Sequence, residues 1–487
     1  MLKIFKRKYI IKQLFHDVQN GIVKDGQHVN KLNGYITNIN KLKNFTFVDI
    51  MDGTTSSSVK LVLSNKNNNI QNITLGDTIQ LNNWNVVLTP NRTQFFELQM
   101  NSPNSTFNIS HSIDLSLQYN EKNINLSTLR NTPLHKFKNN YMASLQRFRS
   151  HLELTLFNIL SNKFNFIKTD PPIITTNDTE GNNETFKLTS TNSGIFPLNA
   201  PNSLNLTVSA QLHLEILAQS LSNVYSLTPC FRAERSDTGR HLTEFWMLEL
   251  ETTEYNTLDE LVSLTKNFII STLKDLLKNQ KVVLDWDELI NHNNSHKNYL
   301  PLPMDTMTTD QISDRWERIA NPKNWHEIDY VDVIKELDGN SNAFTTKPPT
   351  LDTINENNIN SEHEKWVSST LFSNGFVFIK NYPKSLKPFY MKNNINNKKL
   401  QTVQCFDLIF PELGEIIGGS MREDNYEKLI PNVSQDLDWY VQLRRSGYRT
   451  SGGFGLGLER FIAYILGVKS IKDTLPFYRS AKSKVTL

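Results

Sequence analysis

The chain has 487 residues, enough for two or three domains with separate cores. Hydrophobic residues at 38% and charged residues at 21% describe an ordinary globular composition, and no apolar run reaches the ~18 residues of a membrane-spanning helix. Lys and Arg (52) against Asp and Glu (49) leave a net charge of +3, so a nucleic-acid partner needs a local basic face. The two cysteines, Cys230 and Cys405, exclude a disulfide framework or a cysteine-built zinc cage and read as reduced thiols.

The opening MLKIFKRKYIIKQLFH carries five Lys/Arg and no acid before Asp17. That is the charge signature of an organelle transit segment, placed here at residues 1–12; a basic surface extension is the alternative. From Gln27 to Met100, VNKLNGYITNI, FTFVDIMDG and VKLVLS alternate or run apolar, with turns at Gly34, Asp52-Gly53 and Gly76-Asp77. These short strands predict a five-stranded barrel of the oligonucleotide-binding type over residues 13–110. The polar stretch after it reads as a linker, 111–138, and the Asn/Lys-rich NKNNNIQN and NNINNKK read as polar loops.

Leu145, Phe148, Leu152, Leu156, Ile159 and Leu160 then recur at helical spacing. Strands are predicted at Phe164–Ile174, Thr185–Ser190 and Leu206–Val208, and a helix at Ala210–Leu221. The remainder of a second domain, 139–487, alternates strands and helices with no internal repeat. Residues 283–360, with the turns LPLPMD and KPPT, read as an insertion into it.

Two segments carry chemistry. PCFRAERSDTGRHLTEFWMLELE (Pro229–Glu251) predicts a hairpin whose period-2 geometry puts Arg232, Glu234, Glu244, Phe245 and Glu249 on one face. An arginine there can hold a phosphate bidentately and a phenylalanine can stack on a base, although a salt-bridged surface hairpin has the same pattern. SGGFGLGLERFIAYILGV (Ser451–Val468) alternates Gly453, Gly455 and Gly457 before a helix beginning near Leu458. The glycines permit close approach of a backbone or ligand, and Arg460 sits where a helix start favours an anion.

Together these segments resemble motifs 2 and 3 of the class II aminoacyl-tRNA synthetases, with FNFIKTDPPIITTNDTEG (Phe164–Gly181) as the counterpart of motif 1. The likeness narrows to the aspartate, asparagine and lysine enzymes, whose N-terminal barrel reads the anticodon and is matched by GYITNINKLKNFTFVDIMDG. Within that subgroup the chain is most similar to asparaginyl-tRNA synthetases of the bacterial and organellar type, through VSAQLHLE, SEHEKW, KNYPKSLKPFYM and GEIIGGSMRED. EGNNE stands where the family has EGAGE, and the C-terminal PFYRSAKSKVTL also departs from it.

The resemblance implies an α+β fold, the barrel followed over 139–487 by a mostly antiparallel sheet flanked by helices, with ATP-dependent activation of asparagine and transfer to tRNA(Asn). The basic opening segment, which lies outside the likeness, points to the mitochondrial matrix. It implies that Arg232 binds the α-phosphate, Glu234 and Phe245 hold adenine, and His241 and Arg460 meet the outer phosphates beside Gly457. Arg232 and Arg460 would be the catalytic pair. Asp407 and Glu415 would ligand Mg²⁺, Glu180 and Glu249 the substrate ammonium, and Gln211 its backbone. Phe47 and Lys60 would contact the anticodon, and Pro172 would mark a homodimer contact. No membrane partner is implied.

Asparagine rather than aspartate also follows from charge. Aspartate enzymes place a lysine where this chain has Leu214, followed by Glu215. Removing a cation and adding an acid suits an amide, whose NH₂ can donate to Glu215 while Arg422 meets its oxygen. A helix-surface acid is the plainer reading of Glu215. A non-discriminating aspartyl enzyme, an amidating relative and an inactive RNA-binding module remain as alternatives.

Overall fold

The computed structural model describes the chain except residues 1–7, 66–72, 93, 102, 115–125, 177–184, 189–203, 236–240, 280–284, 287–306, 395–399, 431–436 and 482–487. Glu180 therefore lies outside the described residues. The chain divides into two compact units, residues 1–148 with 280–309 and 486–487, and residues 149–279 with 310–485.

The first unit is the predicted barrel. Strands β1 (Lys8–Tyr9), β2 (His28–Lys41), β3 (Phe45–Met51), β4 (Val59–Ser64), β5 (Thr78–Leu88), β6 (Phe96–Gln99) and β7 (Thr106–His111) form one sheet. Pairing of β2 with β5 closes β2, β3, β4, β6 and β5 into a five-stranded barrel, with β4 and β6 parallel. Alternation points Val48, Ile50, Leu61, Leu63, Phe96 and Leu98 inward, all 0% exposed. In β5 the buried phase passes from Ile79 and Leu81 to Trp84 and Val86 across Asn83, which takes φ 57°. Asparagine tolerates that left-handed geometry and so can absorb the extra residue.

The N-terminal boundary differs from the expected one. Lys8 and Tyr9 pair with Lys31 and Leu32 of β2, and a helix follows at Ile11–Gln19. Its Ile11 and Leu14, three apart and both 0% exposed, pack into the barrel core. The backbone N–H of Ile11 donates to Asp52 Oδ2 at 2.7 Å, satisfying one orphan donor of the helix start. Residues 8–12, counted above with a leader, are thus joined to the barrel, because Lys8 and Tyr9 pair with β2 and Ile11 enters the core, although Ile10 stays exposed.

The second unit is built on an eight-stranded sheet ordered β14-β15-β16-β17-β18-β13-β12-β8. These are β8 (Ile167–Lys168), β12 (Asn223–Phe231), β13 (Glu244–Thr252), β14 (Trp325–Asp329), β15 (Phe376–Lys380), β16 (Cys405–Phe410), β17 (Gly414–Met421) and β18 (Gly452–Gly457). All neighbours are antiparallel except β14–β15 and β12–β8, as expected of a mostly antiparallel sheet. A small sheet of β9 (Ile174–Thr175), β10 (Lys187–Leu188) and β11 (Leu204–Leu206) stands apart from it. Strand β16, CFDLIF, is buried at every position, so apart from Asp407 it reads as an apolar run rather than an alternation.

The expected insertion is not one body. Residues 310–360 belong to the larger unit, where β14 forms the sheet edge and helices Thr309–Ala320 and Tyr330–Gly339 flank it. WHEID is too short and too polar to announce a strand; its parallel partner β15 supplies the pairing. Among the described residues no helix is long and apolar enough to cross a membrane.

Candidate active site

A cavity of about 320 Å³ opens within the larger unit, over the glycine-rich middle of the sheet. The glycines make room for it. On Gly455, which lines it, a Cβ would lie 2.7 Å from Met247 Cε; on Gly453, which is not among the lining residues, it would lie 2.1 Å from Leu250 O and 2.2 Å from Glu251 Oε2, so only glycine fits there. A Cβ on Gly457 would meet nothing within 4 Å, so that glycine leaves open space on the cavity wall.

The motif 2 hairpin lines one end. Strand β12 stops at Phe231, leaving Arg232 and Glu234 on the loop, while His241 and Phe245 return beside them. Arg232 Nη1 lies 3.9 Å from Glu234 Oε1, His241 Nε2 lies 3.8 Å from Glu234 Oε2, and the Arg232 guanidinium stands 5.3 Å from the Phe245 ring centre. Phe245, Met247 and Glu249 alternate into the cavity. Glu244 has the opposite parity, so its side chain leaves the face the sequence assigned it to, while its backbone forms an isolated β-bridge with Arg479. At the start of the helix Leu458–Leu466, Arg460 also lines the cavity, and its Nη1 donates to Glu415 O at 3.1 Å.

Asp407 on β16 and Glu415 on β17 converge over Gly418: a Cβ there would lie 3.7 Å from Asp407 Oδ1 and 3.1 Å from Glu415 Oε1. Lys387, a residue without an assignment from sequence, donates to both Asp407 oxygens at 2.8 and 2.6 Å. Burial, then Asp407, push the Glu415 carboxyl upward. Glu364 behind them is pushed up to about 7 by burial, Glu415 and Asp407. Crowded carboxylates of this kind fit Mg²⁺, which takes one or two protein carboxylates and completes its shell with phosphate and water oxygens. Among the described residues no three His, Cys, Asp or Glu side chains close on one point, so these groups suit an ion that arrives with phosphates.

The other end of the cavity is polar but closed. Glu249 accepts from Ser209 Oγ and, at 2.9 Å, from the backbone N–H of Ala210 at the start of the helix Gln211–Leu221. Gln211, Leu214 and Arg422 line the wall. Arg422 is held by Glu251, with Nε donating at 3.1 Å and Nη2 at 2.7 Å, while Nη1 donates to Ser420 Oγ at 2.6 Å. Glu251, the missed residue here, is two positions from Glu249, and strand parity alone was the signal that pointed to it.

Glu215 lies beneath the wall rather than on it. It is 0% exposed, and its carboxylate accepts from Gln211 Nε2 at 3.1 Å, Tyr440 OH at 2.9 Å and Arg444 Nη2 at 2.9 Å. One turn of helix separates it from Gln211, which brings it under the cavity but turns it inward. Away from the cavity, Phe47 and Lys60 lie half-buried on the outer barrel surface, opposite the buried Thr46 and Val48. Pro172 is exposed, with the exposed Ile167, Ile173 and Ile174 near it in the chain.

The family model for class II tRNA synthetases (D, K and N) matches residues 125–481. The mitochondrial asparagine–tRNA ligase of Saccharomyces cerevisiae is 38% identical over 468 residues, covering 93% of this chain and 92% of that one. The asparagine–tRNA ligase of Mycoplasma pneumoniae is 31% identical over 460 residues, covering 92% and 94%. In fold, asparaginyl-tRNA synthetase from Pyrococcus horikoshii, solved with asparaginyl-adenylate, superposes with a TM-score of 0.77 at 24% identity over 98% of this chain and 99% of that one. The barrel, the mostly antiparallel sheet, the three motifs in order and these likenesses agree: the chain belongs to the asparagine–tRNA ligases of the class II tRNA synthetase family.

Proposed function

We propose that the protein activates asparagine with ATP and transfers it to tRNA(Asn) for mitochondrial translation. The observation that carries this reading is the cavity itself: it joins a phosphate-facing arginine set to an amide-sized polar end whose only lining guanidinium, among the described residues, at that end is already neutralised by a carboxylate. A free arginine there would favour a substrate carboxylate; a paired one favours a neutral amide.

The first step is displacement at the α-phosphate, in which protein groups position reactants and stabilise charge. Arg232 holds the α-phosphate, with the adenine stacked on Phe245 and its amino group facing Glu234. His241 and Arg460 meet the outer phosphates where Gly457 leaves space. Glu249, with Glu180, accepts the substrate ammonium, Gln211 meets its backbone, and Arg422 donates to the amide oxygen. Glu215 acts through Gln211 and Arg422. Mg²⁺ held by Glu415 and Asp407 would supply positive charge for the departing pyrophosphate. The tRNA terminal hydroxyl then takes the asparaginyl group from the adenylate.

Phe47 stacks an unpaired anticodon base and Lys60 meets the RNA backbone, which makes tRNA affinity salt-dependent; their half-buried position on the outer barrel surface supports this reading. The exposed Pro172 and its isoleucine neighbours support a homodimer contact. The basic opening residues, and the name of the Saccharomyces cerevisiae relative, support entry into the mitochondrial matrix; cleavage before Lys8 would leave the barrel entire. The deciding experiment is ATP–pyrophosphate exchange and charging of mitochondrial tRNA with asparagine and with aspartate. Asparagine should support both; robust exchange with aspartate would overturn the substrate assignment.

A further inference from the structure

The polar end of the cavity rests on a closed ring of buried groups. Arg422 binds Glu251 at 2.7 Å; Ser451 Oγ donates to Glu251 Oε1 at 2.7 Å and shares a 2.8 Å hydrogen bond with Tyr448 OH. The Tyr448 ring lies 4.3 Å from the Arg444 guanidinium, and Arg444 donates to Glu215 at 2.9 Å. Glu215 Oε1 returns to Arg422 Nε at 3.7 Å. Side chains of Arg422, Glu251, Arg444 and Glu215 are 3%, 0%, 0% and 0% exposed, so water screens none of them.

Only Arg422 of the four lines the cavity. With both acids ionised the ring holds two positive and two negative charges. Its balance depends on Arg444, which is anchored by donating to Glu423 O at 2.9 Å and stacks at 4.1 Å on Tyr440. Arg444 comes from a 3-10 turn, Leu443–Arg445, which precedes the Ser451–Val468 segment and belongs to neither segment that carries the chemistry.

We propose that rejection of aspartate is set by the net charge of this ring, with Arg444 a positioning residue that never touches substrate. Removing the Glu215 charge leaves Arg444 uncompensated and makes the end cationic, which attracts a second carboxylate. Removing Arg444 does the reverse. Removing both restores balance. The effect reaches the substrate undiluted because the ring is dry.

The inference rests on the asparagine reading above, and the test separates the two. The ratio of kcat/KM for aspartate to that for asparagine is measured by pyrophosphate exchange in the full-length protein. Glu215→Gln should raise it on the order of tenfold or more, Arg444→Met should not raise it, and the double variant should return it to near the wild-type value. Arg444→Lys, which keeps the charge, should stay near wild type even if total activity falls. A merely structural role would lower both substrates together and leave the ratio unmoved in every variant, which overturns the proposal. So does a double variant that remains as permissive as Glu215→Gln. A wild type that prefers aspartate overturns the asparagine assignment itself.

Discussion

The two ends of the cavity are built on opposite principles. At the motif 2 end, Arg232, Glu234 and His241 are 32%, 27% and 35% exposed, and their mutual approaches are loose, 3.8 to 3.9 Å. At the amide end, charges that are almost wholly buried meet at 2.7 to 2.9 Å with tyrosine and serine hydroxyls closing the network. Half-exposed, loosely spaced charges suit a ligand that brings its own countercharge, as a triphosphate does. Dry, saturated charges are pre-organised and keep one electrostatic state whether or not substrate is present. On the function proposed above, the recognition of ATP is left to the ligand's charge, and the choice between amide and acid to the fold's.

Substitutions can break that contrast. The largest effect is expected from Glu251→Ala, which strands Arg422 in the interior: stability should fall by about 3–5 kcal/mol, read as a lowered urea midpoint of the larger unit. If the midpoint holds, the dry end is not saturated as described. Arg232→Ala at the open end should leave the midpoint unchanged but slow pyrophosphate exchange on the order of 10²–10³-fold; a matching loss of stability would erase the distinction. Outside the cavity altogether, Phe47→Ala should weaken tRNA binding by about 1–3 kcal/mol and leave pyrophosphate exchange intact, since that reaction needs no tRNA.

The smallest effect sharpens the comparison by pH. Burial, with Glu215 adding to it against the pull of Arg422 and the Ser451 hydrogen bond, pushes the Glu251 carboxyl up to about 7. Tyr448, which shares Ser451 with Glu251, also feels its charge, and burial raises that phenol beyond the working range. Below about 7 Glu251 gains a proton, Arg422 loses its countercharge and the amide end becomes cationic. The aspartate-to-asparagine ratio should therefore rise a few-fold, roughly, between pH 8 and pH 6; a flat ratio would show that Glu251 stays ionised throughout.

Much of this was legible in the residues. Alternation and turn residues placed the barrel strands, and Ser451–Val468 showed both a glycine-spaced strand and a helix starting at Leu458, where it does start. Arg232, Phe245, Asp407, Glu415 and Arg460 line one cavity although they come from separate parts of the chain. The misplacements have two causes. Glu244 was put on the site face together with its neighbour Phe245, which strand parity forbids. Residues 8–12 were read without the core that Ile11 enters, and 283–360 as an insertion without the parallel partner that makes WHEID a sheet strand; these two needed a neighbour distant in sequence.

By itself the sequence determined the class of molecule: motif residues with fixed chemistry and spacing, and strand or helix periods that follow from backbone geometry. Only the tertiary structure decided the electrostatics of the amide end. Leu214 and Glu215 suggested a lost cation and a gained acid facing substrate. The fold turns Glu215 inward and sets Arg444, 229 positions away, against it, and it gives Arg422 to Glu251 across 171 positions. Charge in a dry interior depends on which groups are within a few ångströms, and no period along the chain encodes that.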